Sequence, residues 1–485
     1  MAPIEIQPIR PSTHFKLVER DQVDRIKSAT LAILNDVGVH IPSREARDVF
    51  ADHGAKVDPG KQIVRMPPDL VLGAMASAPR SFRVGGRAPG TQLVLDGTQT
   101  YFSTDGCGVH TLDRATGQLR ASTKADVAMM AQVSDHLSSI AFYWPMVSAQ
   151  DYGHLAPLHE IDASFNHTVK HIQTETVMGA DLARYAVRMA EVIAGDSKRL
   201  RENPPLSSLI CTIAPLGQDK DGLEAGMVFA RAGIPVGFMS MPNMGSTAPA
   251  SVAGALAQAS AEIISALVLM QLVAPGAPVF YSVIASVMHP QTADYINTLS
   301  EKYLCHGAGV EIAHDWGVPI LGGAFGVDSD EPASWQLGRD SVYTALLTPL
   351  AGADFVVGMG LLGASTVLIP EQLLLDDEIY HTHRIMLEGL AVDEDLLALD
   401  VIGAVGPRGN YLSQKHTRRH LRDIWIPELT HPGPVASGNG RPDLSLRARQ
   451  KLDQILTEHQ PEPLAPEQQD ELTQILAAAE KELEG

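Results

Sequence analysis

Basic residues are scarce in this 485-residue chain: 37 Lys and Arg against 57 Asp and Glu leave a formal charge of −20. A phosphate backbone or an anionic bilayer would be repelled by most of such a surface, so neither nucleic acid nor membrane is expected as a partner. Cysteine is scarcer still, with only Cys107, Cys211 and Cys305. That odd, widely spaced set makes neither a disulfide framework nor a metal knuckle, and it reads as buried thiols of a reducing cytoplasm. Long apolar runs are missing too. The N-terminus has no apolar core of a signal peptide, and the greasiest stretch, 254–273, is interrupted by Gln258, Glu262 and Gln271, so neither secretion nor membrane insertion is expected. Aromatic residues are only 5% of the chain, which makes their clustering informative.

What is present is the balance of a folded globular protein, 45% apolar and 19% charged. Residues 1–95 read as a small α+β cap, with helical apolar spacing over 21–37 ending at Gly38, a second short helix over 44–53, and β runs at 63–66 and 82–84. From about residue 96 the pattern becomes a repeated unit of short β-rich run, turn and helix. The β runs fall at 100–104, 140–147, 168–174, 208–213, 236–241, 279–285, 320–325 and 355–359. Helical stretches separate them at 124–137, 156–165, 181–194, 219–231, 251–273, 292–316 and 334–350, with a last one at 371–387. Several strands follow a helix stop and a proline, as at 231–235, 274–278 and 316–319, where glycine can cap a helix and proline blocks its continuation. Eight alternations predict a (β/α)₈ TIM barrel over 96–390. An open doubly wound sheet is the competitor that the same alternation permits, and the count of eight favours the barrel. Residues 391–485 read as a helical C-terminal extension, with a Pro-rich linker at 460–466 and an acidic last helix that is solvated or docked.

In such a barrel chemistry gathers where strands end and βα loops begin. Aromatic residues recur along these strands: Tyr101, Phe102, Tyr143, Trp144, Phe238, Phe280, Tyr281 and Phe325. Each ring alone has an ordinary reading as core packing. Together they predict a ring-lined pocket able to hold a quaternary ammonium by cation–π attraction, with Tyr101, Phe102, Tyr143, Phe238, Tyr281 and Phe325 as its walls. Polar residues at the same ends are few, and Asp105, Gln173, Glu175, His289 and Asp328 are the supporting contacts, with loop or cap duty as the alternative for the acids. The run NMGSTAP at 243–249 offers Ser246, Thr247 and backbone N–H groups to a carboxylate, or is an ordinary cap.

Other motifs carry less. GMGLLG at 358–363 matches GxGxxG but does not lead directly into a helix; the glycines at 322, 323, 326, 358, 360 and 363 can cradle a phosphate or leave room for a large partner. His416 and His420 have the spacing of two ligands on one helix face, but HTRRH lacks the glutamate of HExxH, so a solvent-exposed basic helix is expected and no metal.

Ordered segments along the chain resemble the trimethylamine methyltransferase family: LAILNDVGV at 31–39, LDRATG at 112–117, SMPNMGSTAP at 240–249, PGAPV at 275–279, EQLLLDDEI at 371–379 and LSQKHT at 412–417. The resemblance implies a barrel subunit that takes a methyl group from a methylated amine and passes it to the cobalt of a separate corrinoid protein, with no tightly bound cofactor of its own and cobalamin supplied by that partner. It also implies a homo-oligomer. The trimethylamine enzymes carry pyrrolysine after strand 7, where this chain reads GVDSDEPASWQ at 326–336, so it resembles the non-pyrrolysine branch and glycine betaine is the expected substrate. Glu262, in the matching run AEI at 261–263, and Asp376, in EQLLLDDEI, lie on helices and are expected to anchor rather than react. Two rival readings stay open: a barrel gripping a phosphorylated substrate or flavin after strands 7 and 8, and a non-catalytic betaine-binding paralogue.

Overall fold

Runs of β-branched and aromatic residues buried on both faces are stable only inside a sheet covered on each side. Eight such runs form strands β1 (Tyr101–Thr104), β2 (Ile140–Tyr143), β3 (His171–Thr174), β4 (Leu206–Cys211), β5 (Val236–Ser240), β6 (Val279–Val283), β7 (Ile320–Ala324) and β8 (Phe355–Met359). The computed structural model describes residues 5–106, 108–325, 328–430 and 443–483. Its strands close into one parallel barrel in chain order, β8 pairing back onto β1. Closure rules out the open sheet. Cys107 and Gly326 lie outside the described residues.

Helices α1 (Lys124–His136), α2 (Ala156–His167), α3 (Ala180–Ala194), α4 (Lys220–Ala232), α5 (Val252–Val273), α6 (Ser300–Trp316), α7 (Trp335–Ala351) and α8 (Gln372–Glu388) cover the outside. The stops act as their chemistry requires: Gly233 (φ +81°) and Gly317 (φ +78°) end α4 and α6 in the left-handed conformation. Helix α6 begins later than the sequence spacing suggests. Tyr295–Ile296 instead joins Ser286–Met288 and Asn243–Met244 in a small sheet above the strand ends. A second small sheet, His110–Leu112 with Leu119–Ala121, Leu361–Leu362 and Val367–Leu368, forms from the loops after β1 and β8.

The N-terminal residues pack onto the barrel. Ile26, Leu34, Phe50 and Val64 share one continuous core with Ile263, Ile264 and Leu267 of α5. The hairpin Phe82–Val84 with Leu93–Leu95 closes the N-terminal end of the barrel, its Val84, Leu93 and Leu95 packing against Tyr101, Phe142, Phe280 and Phe355. Helix α5 is long and apolar enough to cross a membrane by composition, yet it is buried between the N-terminal helices and the barrel. At the other end of the chain, helix Leu444–Glu458 packs on α1 and α8, and the acidic helix Pro466–Leu483 docks on α3, where the Tyr185 hydroxyl donates to Glu482 at 2.5 Å.

Candidate active site at the C-terminal mouth

Side chains two residues apart on a strand share a face, and this parity sorts the aromatic residues. On β1, Tyr101 faces the barrel axis and Phe102 faces the helices, its ring 4.9 Å from that of Tyr380 on α8 and 5.9 Å from Phe325. Tyr143 faces out, donating its hydroxyl to the Val127 carbonyl of α1 at 3.0 Å. Tyr281 faces out onto the Ser260 hydroxyl of α5 at 2.8 Å. Phe238 packs outward against Gly226 of α4. The expected pocket walls are therefore corrected: Phe102, Tyr143, Phe238, Tyr281 and Phe325 belong to the layer between strands and helices. Tyr101 does face the axis, but from the start of its strand, where its hydroxyl accepts from Val94 N in the closing hairpin at 3.1 Å. None of the six lines the mouth.

The same parity brings other residues to the axis. Asp105 follows β1 and is 4% exposed. Burial pushes its carboxyl up to about 6, with the Glu175 charge adding to the rise, against hydrogen bonds from Ser365 and Gly106 N–H and the charge of Lys302. Glu175 follows β3 and accepts from the Cys211 thiol at the end of β4 at 2.8 Å. Burial, then the Glu175 charge, hold that thiol well above its usual range, so Cys211 is a protonated donor rather than a nucleophile. Trp144 lies beside them. Gly106 leaves its indole room, because a Cβ at that position would come within 2.1 Å of the ring.

Below Glu175 on the same face, Gln173 is fully buried, and both its amide atoms lack a hydrogen-bond partner. Ser282 on β6, between the axis-facing Phe280 and Ile284, is likewise buried with an unpartnered hydroxyl. Buried polar groups are nearly always paired, so two unclaimed ones inside a barrel are available to a bound molecule. Above, Asp328 accepts from Asn297 N at 2.9 Å and the Thr298 hydroxyl at 2.6 Å, tying the loop after β7 to the start of α6. The buried Lys302 ammonium is pushed down to about 8 by burial, with Asp328, Asp105 and Asp340 opposing the fall.

Two expected sites are not built. The N–H groups of Ser246 and Thr247 both donate to the Asn243 carbonyl at 3.0 Å, and the Thr247 hydroxyl accepts from Asn243 N. That turn has spent the backbone donors of both residues on its own carbonyl. His289 caps a neighbouring turn, its Nδ1 accepting from Gln291 N and Thr292 N at 3.2 Å. Gly358 and Gly360, at the end of β8, serve packing and anchoring. A Cβ on Gly358 (φ +100°) would meet Phe325 N at 2.4 Å, and Gly360 N–H donates to the Asp376 carboxylate at 2.8 Å. A carboxylate stands where a phosphate cradle would need amides.

Glu262 and Asp376 do anchor the mouth. Glu262, buried on α5, accepts from the hydroxyls of Thr212 (2.8 Å) and Ser240 (2.7 Å), from Leu216 N (2.8 Å) and from the Gln258 amide (3.0 Å), which fixes the ends of β4 and β5. Asp376 holds the end of β8 through Gly360.

The trimethylamine methyltransferase (MTTB) family profile matches residues 3–484. A trimethylamine methyltransferase of Desulfitobacterium hafniense is 31% identical over 92% of this chain and 90% of its own length. The chain belongs to the trimethylamine methyltransferase family. It is a methyltransferase. A glycine betaine methyltransferase of the same species is 30% identical, covering 97% of this chain and 98% of its own. A trimethylamine methyltransferase of Methanosarcina barkeri is 28% identical over 97% and 96%. The solved monomethylamine methyltransferase of Methanosarcina barkeri, 10% identical, covers 96% of this chain and 92% of its own with a TM-score of 0.49, too distant to decide anything about the site.

For this member of the trimethylamine methyltransferase family, Asp105, Gln173 and Glu175 are the sequence-expected residues that the axis collects. Asp328 stands at its rim. Trp144, Cys211, Ser282 and Lys302 were not among the expected contacts. Strand parity was the signal for Trp144 and Ser282, since each follows an outward ring, Tyr143 and Tyr281. Nothing local in the sequence marks Lys302, which reaches the mouth only because α6 folds back over β7.

Proposed function

We propose that this methyltransferase takes a methyl group from a quaternary amine, glycine betaine foremost, and passes it to the Co(I) of a separate corrinoid protein. The observation that carries the reading is an ordering of groups along the barrel axis: the carboxylates of Asp105 and Glu175 with the Trp144 indole near the mouth, and the unpartnered Gln173 amide and Ser282 hydroxyl beneath them. A zwitterion fits that order. Its ammonium sits among the upper groups, where the indole adds about 0.5 to 2 kcal/mol of cation–π attraction, and its carboxylate points down to the amide and hydroxyl donors. The N-methyl groups then face the open end. Similarity to the glycine betaine methyltransferase supports the same substrate, as does a chain written wholly in the common amino acids.

The docked corrinoid supplies an electron-rich cobalt that accepts the methyl carbon while the C–N bonding pair stays on nitrogen. The amine leaves neutral, so no general acid is required. The chain's own residues bind and align the cation and keep water from the reacting carbon. The reading places the enzyme in the cytoplasm, where free thiols such as Cys211 and Cys305 persist.

The test is to mix the protein with reduced cobalamin or a corrinoid protein and a panel of quaternary amines, following the cobalt spectrum. Methyl-cobalt formation with glycine betaine is expected; silence across the whole panel would refute the reading. The acidic rim favours one second reading, a choline-like cation without a carboxylate. Methylation from choline in preference to glycine betaine, unaffected by Gln173→Leu, would select it.

A further inference from the structure

His416 and His420 are one helical turn apart on the short helix Lys415–His420, a pair with ligand spacing that lacked a third partner in the sequence. The fold supplies one. Asp395, from the helix Glu394–Leu397, comes back against them, so that one ligand atom from each of Asp395, His416 and His420 lies within 4.8 Å of the other two. Among the described residues this is the group of His, Cys, Asp and Glu side chains close enough together to hold one ion.

Its details are those of a site rather than of a chance encounter. Asp395 Oδ2 is 3.3 Å from His420 Nε2, and donors bound at about 2.0 to 2.1 Å to a tetrahedral ion stand roughly 3.3 Å apart. The other ring nitrogen of His420, Nδ1, is 3.3 Å from the Asp423 carboxylate. A carboxylate behind a histidine is the arrangement that fixes the ring's tautomer and orients it toward a metal. His416 is held beside Asp395 by a 2.9 Å contact between its Nε2 and the Asp395 carbonyl, and the two imidazole rings are 4.2 Å apart. All of this lies outside the barrel mouth, on chain that belongs to none of its strands or loops.

The surrounding segment also needs a tie. The helices Glu394–Leu397, Leu399–Val405 and Lys415–His420 bury none of their residues. Helices of this length are unstable without tertiary support, and a bound ion can replace the apolar core that small elements lack. The exposed Arg419 guanidinium now pairs with Asp395. Because that arginine is solvent-facing it can swing away when a cation arrives.

We propose that Asp395, His416 and His420 bind one divalent first-row transition ion, zinc by the two-imidazole, one-carboxylate donor set, and that the ion clips the two short helical segments together. The site is structural and separate from methyl transfer.

The experiment uses the full chain stripped with a chelator and dialysed against Zn(II), with Co(II) as a spectroscopic probe. One ion per chain is expected, and the cobalt form should show the intense visible bands of a tetrahedral site. His416→Ala with His420→Ala should weaken binding at least tenfold. Arg419→Ala, which removes the competing cation without touching a ligand, should tighten it severalfold, and circular dichroism confirms that each variant remains folded. Zinc uptake that ignores both the histidine pair and Arg419, or no uptake at all, would overturn the assignment.

Discussion

The two ends of the barrel interior are built from opposite chemistry. At the N-terminal end the rings of Tyr101, Phe142 and Phe280 surround Phe355, with centroids 4.5 to 6.3 Å from it, under a hairpin that closes the axis. At the C-terminal end the axis carries Asp105, Glu175, Cys211 and Gln173, with Trp144 as the ring beside them. On their axis-facing sides the strands therefore place Tyr101, Phe142, Phe280 and Phe355 where they seal the barrel and their polar groups where a ligand can enter. The clustered axis-facing rings mark stability at one end, while Trp144 stands with the polar groups at the other.

Phe355→Ala offers the strongest challenge to that division. Deleting the ring that the others surround should cost about 3 to 5 kcal/mol in denaturant unfolding while leaving the KM for the quaternary amine unchanged in the surviving folded protein. A raised KM would show that the lower end also binds. Asp376 comes next. Burial first, then Asp105 and Asp377, push its carboxyl up to about 7. A folded-state value above the unfolded one favours folding at low pH, and this contribution is lost as pH rises through about 7. Asp376→Asn, which keeps the group neutral, should be more stable than the parent at pH 8 by about 2 to 4 kcal/mol, the gap closing toward pH 4; parallel stability curves would contradict it.

At the mouth, Asp105→Asn and Glu175→Gln should each raise KM by about tenfold, equivalent to ~1.4 kcal/mol, without loss of melting temperature. Because the Asp105 carboxyl titrates at about 6, the parent's KM should rise as pH falls below that value and the carboxylate takes a proton. A flat KM in Asp105→Asn across the same range assigns the effect. The smallest change is expected from Tyr281→Phe, which removes one buried hydrogen bond to Ser260, about 1 kcal/mol of stability, with kinetics untouched. Altered kinetics there would return this ring to the pocket.

The order and type of the barrel elements were legible because each strand and helix announces itself locally, through β-rich runs of five or so residues, helical spacing, and Gly or Pro at the stops. Glu262 was also readable as an anchor, since a lone carboxylate in the middle of an apolar helix must find donors. The direction of the aromatic side chains was half legible. Period-two alternation separates Tyr101 from Phe102 and Tyr143 from Trp144, but it does not say which set faces the axis until the sheet closes.

By itself, then, the sequence determined an eightfold alternation, its family and the candidacy of Asp105, Gln173 and Glu175, because composition, spacing and strand ends are properties of neighbouring residues. Only tertiary structure decided that five of the six chosen rings pack under helices, that the donors of the 243–249 turn are consumed by its own carbonyl, and that Asp395 meets His416 and His420. Each of those depends on residues from distant parts of the chain, or on backbone donors finding partners, and neither is encoded in a local pattern.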